Sequence, residues 1–128
     1  MFNWVKARSE CSLERVFLVL SEVVASDVKA RQGLHDGAEY DHTRRDHKII
    51  VSRTRDFGGG IKEAEGVVFE RIKGSITVAA VDPKGNEVPL FAATPSLAPD
   101  GDCKLEVNGD SLELWQVSRK ALEPLFFE

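Results

Sequence analysis

Apolar residues recur at helical spacing over one long segment and then alternate along several short ones. Leu13, Phe17, Leu20, Val24 and Val28 form a stripe at i, i+3 and i+4, widened by Val16 and Val23. Arg15, Glu22 and Lys29 lie on the opposite side. Ser12 is suited to cap the start, Glu14 complements the dipole in the first turn, and Gly33 provides a stop. The spacing predicts an amphipathic helix over residues 12–32. Leu18 stands outside the stripe, among Glu14, Glu22 and Ala25. Either a loop covers it or it belongs to a second packing surface.

Beyond Gly33 the pattern changes. Residues 35–43 are polar and read as a loop or the ragged start of a strand. HKIIVSRT (47–54), GVVFERI (66–72), SITVAAVD (75–82) and EVPLFAA (87–93) read as strands. Asp82-Pro83-Lys84-Gly85 is a turn. Pro89 cannot donate to a ladder, so its strand should lie at an edge or carry a bulge. TPSLAPDGD (94–102) reads as a loop.

Asn108-Gly109 predicts a type I′ hairpin turn. That turn sets Val107 opposite Asp110, Leu105 opposite Leu112 and Cys103 opposite Leu114. Lys104 then pairs with Glu113 on the other face. Trp115 would share that outer face and serve as an exposed anchor for a partner if nothing covers it. Ser118 would cap a last short helix, RKAL, which Glu123-Pro124 breaks. Leu125, Phe126 and Phe127 would then fold back on the core or dock on a second subunit.

These elements predict one α+β domain over residues 1–128. A long N-terminal helix packs on a five- or six-stranded, mainly antiparallel, curved sheet, and a short C-terminal helix follows. A partly open barrel is the main variation.

The chain has 128 residues, 42% of them apolar and 30% charged, which is the balance of an ordinary soluble domain. No apolar run is long enough to span a membrane, and the first residues do not read as a signal peptide. The net charge of −4 argues against nucleic-acid binding. Cys11 and Cys103 show no metal or redox spacing. They are expected to be reduced thiols in a cytoplasmic protein, although sequence leaves a disulfide open.

Charge is unevenly spread. Residues 42–55 carry five basic residues against one acidic, whereas 61–128 carry seven against twelve. In the predicted strand, Arg45, His47, Ile49, Val51, Arg53 and Arg55 share a face. Ile49 and Val51 suggest that its middle is buried, with charges emerging at both ends. Arg53 and Arg55 would point to the rim wrapped by Gly58, Gly59 and Gly60. Glycine amides and guanidinium forks can hold a phosphate or carboxylate. The spacing matches neither a P-loop nor a dinucleotide fingerprint. A flexible connection flanked by solvated arginines explains the same residues.

Other chemistry is thin. His35, His42 and His47 lie among acidic residues, but their spacing sets up no metal site. No nucleophile motif surrounds any serine, and no acid–base couple stands out. No catalytic residue, metal or cofactor is therefore expected. The first functional expectation is a non-catalytic binding or adaptor protein, a homodimer or one with another protein partner. It would act through an apolar patch (Leu18, Trp115, Leu125, Phe126, Phe127) and the basic rim. The second is a small anionic ligand on Arg45, His47, Arg53, Arg55 and Gly58–Gly60. A hydrolase or isomerase using His42 or His47 ranks last.

Overall fold

A computed structural model describes the whole chain, residues 1–128. Its elements are α1 (Trp4–Glu10), α2 (Leu13–Gln32), β1 (Ala38–Arg44), β2 (Lys48–Asp56), β3 (Lys62–Ile72), β4 (Ser75–Val81), β5 (Glu87–Leu97), β6 (Cys103–Val107), β7 (Asp110–Leu112) and α3 (Leu114–Phe127). The class is α+β as expected, with seven strands instead of five or six. The strands form an antiparallel meander in sequence order, and the sheet stays open.

The long helix forms where its pattern places it. The Ser12 hydroxyl accepts from the Arg15 amide at 3.2 Å, and Gly33 follows the last turn. Val16, Phe17, Leu20, Val24 and Val28 are all buried against one face of the sheet. That face is built by register: Ile49 pairs with Phe69 and Phe69 with Val78. Leu105 and Val107 of β6 complete it. Full burial of a side chain such as Leu20 stabilises the fold by about 2 kcal/mol.

Pro89 has the effect its missing N–H demands. Phe91 stands opposite Val78 and Pro89 opposite Ala79, so Leu90 is the extra residue of a bulge. The first half of β5 pairs with β4 and its second half, from Thr94, with β6. The strand thus reaches Leu97, into the segment read as a loop. Asn108 and Gly109 both have positive φ, 51° and 86°, as a type I′ turn requires.

Three expectations are corrected. α1 was not anticipated, because seven residues with none buried carry no periodic stripe. The last strand ends at Leu112, so Leu114 and Trp115 are helical, and the cross-strand partner of Cys103 is Leu97 of β5. The final helix is capped at Glu113, not Ser118, and it runs through Pro124. Proline removes the N–H that would meet the Lys120 carbonyl, but both residues are exposed, where water can serve that oxygen. Burial of Leu122, Leu125 and Phe126 favours the continued helix.

The reduced-thiol expectation is also overturned. Cys11 and Cys103 form a disulfide, with Cα atoms 5.4 Å apart. Cys11 lies in the turn between α1 and α2, and β6 passes beneath that turn. A bond joining residues 92 positions apart removes much unfolded-chain freedom, typically about 2–4 kcal/mol. Such bonds persist in oxidising compartments, so the cytoplasmic expectation loses the thiol argument on which it stood. No helix is long and apolar enough to cross a membrane.

Candidate functional site

The two basic ends of β2 have different surroundings. At its C-terminal end, Arg53 is only 4% exposed, although a charge at the sheet border was expected. β2 continues to Asp56, and the last turn of α3 covers this end. The Arg53 guanidinium donates to the Leu125 carbonyl and to the Glu65 carboxylate. A longer contact reaches the Glu128 backbone oxygen at 3.5 Å. Arg55, which is exposed, donates to the same Glu128 oxygen at 3.3 Å.

Arg31 approaches the same turn from α2. Its Nε donates to the Phe126 carbonyl at 2.8 Å, and the Tyr40 hydroxyl donates to that carbonyl at 3.3 Å. The guanidinium lies 4.6 Å from the Tyr40 ring centre and 5.1 Å from that of Phe127. Its far end pairs with Asp36. That hydrogen bond is the main reason the Asp36 carboxyl sits below its usual range and Arg31 above its own. The last carbonyls of a helix have no partner within it, and the dipole leaves them negative. Three arginines and a tyrosine thus serve an anion-like group that belongs to the chain itself.

The glycine run is a hairpin connection. Gly58, Gly59 and Gly60 all have positive φ, which explains the residue type. Phe57 and Ile61 close the loop at 2.9 Å, and the Gly58 amide is held by Asp56 at 2.9 Å. Arg45 and His47 lie in the turn at the opposite end of β2. Eight residues of strand separate His47 from Arg55, about 27 Å. The residues expected around one anion therefore fall into two separate groups. At the far end, Glu70 stands 3.8 Å from His47 and 3.7 Å from Lys48. No three His, Cys, Asp or Glu side chains gather closely enough to hold a metal.

A different feature is concave. Between the second half of α2 and α3 runs a groove of about 450 Å³, with Leu122 and Phe126 in its lining. Leu34, Trp115 and Phe127 also line it, at 61%, 52% and 67% exposure. The Ser118 hydroxyl donates to Asp27 at 2.6 Å between the two helices, so that polar pair is satisfied. Trp115 is fixed at the helix start, where its Nε1 donates to Glu113 at 2.8 Å. Lys104 meets the other oxygen of Glu113 at 2.9 Å. The Lys104 bond first, then the Trp115 bond, holds the Glu113 carboxyl below its usual range, and Lys104 is raised in return.

Of the residues expected at an interface, the groove unites Trp115 and Phe127 at its rim with Phe126 beneath them. Leu125 and Phe126 are 7% exposed and belong to the core. Leu18 is half-buried elsewhere on α2. Leu34 was missed. Its signal was weak, a single leucine just past a helix stop. The alignment of Trp115 with Phe127 was hidden by reading Pro124 as a break. Compared with family models, with curated proteins and with solved structures, the chain matches none of them.

Proposed function

We propose that the protein is a non-catalytic binding domain that docks a protein partner in the groove between α2 and α3. The observation that carries this is the gathering of Leu34, Trp115 and Phe127 around one concave surface, each more than half exposed. Isolated exposed leucines are ordinary, but a groove rimmed by two aromatics and a leucine is costly in water. Grooves between helices of this kind accept the apolar face of an amphipathic segment. Arg31 and Arg119, with Asp27 and Glu123, supply a mixed polar border. Arg44 and Arg45, exposed at the turn between β1 and β2, remain the part of the basic rim able to steer an acidic partner.

The anion reading is the weaker one, because the fold already engages Arg53 and Arg55 with the end of α3. Selection of displayed amphipathic peptides on the protein, against a Trp115→Glu counterpart, separates the two. Peptides that bind the wild type and lose about tenfold or more on Trp115→Glu support the groove. The reading fails if no peptide distinguishes the two proteins. A rise in melting temperature with phosphate esters, lost in Arg55→Ala, would transfer the function to the strand end.

A further inference from the structure

Four residues follow one another at every fourth position along the exposed side of α3 that borders the groove: Trp115, Arg119, Glu123 and Phe127. All four are exposed, the Arg119 and Glu123 side chains by 65% and 51%, and the Arg119 Nε donates to the Glu123 carboxylate at 2.7 Å within the helix. The order is aromatic, cation, anion, aromatic. Read from the other end, the aromatics exchange places and the charges change sign. A two-fold axis across the helix near Ala121 therefore turns this row onto its own complement.

We propose that α3 pairs antiparallel with α3 of a second copy of this chain. The pairing sets Trp115 against Phe127 of the second copy and brings Arg119 beside its Glu123, so that the two Arg119–Glu123 pairs already present within the helices join into one cluster of alternating charge, and symmetry makes each contact twice. Rows at i±4 interdigitate naturally when two helices cross at about −50°. Like charges never face each other in this arrangement, whereas a parallel pairing in register would set Arg119 on Arg119. Both aromatics are already held. Trp115 is tied to Glu113, and Arg31 stacks on Phe127, so little side-chain freedom is lost on association. Leu34 extends the apolar surface beside Phe127. A 14-residue helix is about 21 Å long, so the contact is at the small end for stable complexes. The dimer is accordingly a micromolar one. This inference rests on the groove being a protein-binding surface and names its occupant.

Sedimentation velocity from about 1 to 500 µM tests it, a range that brackets micromolar dissociation constants. Wild type is expected to shift from monomer to dimer across that range. Arg119→Glu alone and Glu123→Arg alone each place like charges together and are expected to stay monomeric. Mixed in equal amounts, these two variants restore both attractive pairs and are expected to form a heterodimer. The double variant carrying both changes should dimerise again. The exposed positions leave the fold intact, which circular dichroism verifies. A wild type that is monomeric at every concentration overturns the inference, as does a dimer indifferent to Arg119→Glu. Peptides that bind the groove of a strictly monomeric protein would defeat only the second copy. Absence of both peptides and dimer would defeat the binding reading as well.

Discussion

The two ends of β2 carry the same kind of residue and have opposite roles. Arg45 and His47 stand in a solvated turn, while Arg53, eight residues beyond Arg45 on the same side of the strand, is buried. The difference does not lie in the strand. It lies in what crosses above it: nothing covers the first end, and the last turn of α3 covers the second. A buried guanidinium is tolerated there because helix carbonyls and Glu65 meet it, and without them its desolvation would be prohibitive. An arginine cluster is thus explained by internal structure before any ligand is invoked, and the candidate site moves to the groove.

Substitutions at the two ends should separate sharply. Arg53→Met strips the donors from the Leu125 carbonyl and from Glu65, which is 35% exposed, and should cost about 2 kcal/mol in urea unfolding. A loss below about 1 kcal/mol would mean the pair is ornamental. Tyr40→Phe removes a single hydroxyl from the Phe126 carbonyl and should cost about 1 kcal/mol by the same measurement. Arg55→Met, at an exposed contact, should cost about 0.5 kcal/mol, and Arg45→Met no measurable amount. If Arg45→Met proved as damaging as Arg53→Met, the contrast between the ends would dissolve.

Acid should weaken the Arg31–Asp36 and Lys104–Glu113 pairs. The Asp36 and Glu113 carboxyls sit below their usual ranges in the folded protein. Their contribution is present above the ordinary carboxylate range and is lost as pH falls through and below it. Both are exposed, so the effect is small. A Asp36→Asn variant should show a shallower decline in melting temperature between about pH 5 and pH 3 than wild type. An identical decline would mean that the Asp36–Arg31 pair contributes nothing to stability.

The legible parts of the fold were those encoded locally. Ser12, the stripe to Val28 and Gly33 define α2 because cap, period and stop lie within one segment. Asn108-Gly109 fixed its hairpin because turn geometry sets register. Pro89 announced its bulge. The illegible parts depend on residues far apart in the chain. Pro124 reads as a helix break until Leu125 and Phe126 are seen to need the core. Arg53 reads as a surface charge until α3 returns 72 positions later. The disulfide joins a helix turn to a strand that no spacing relates. Trp115 was recognised as an anchor but placed on a strand, so its alignment with Phe127 went unseen.

Amide exchange over the last turn of α3, Leu125–Glu128, tests the central claim most directly. Arg53→Met should speed exchange there by about tenfold or more while leaving β6 protected, and Arg45→Met should change nothing. Equal protection of that turn in wild type, Arg53→Met and Arg45→Met would show that the buried arginine does not hold the helix, and would contradict the account.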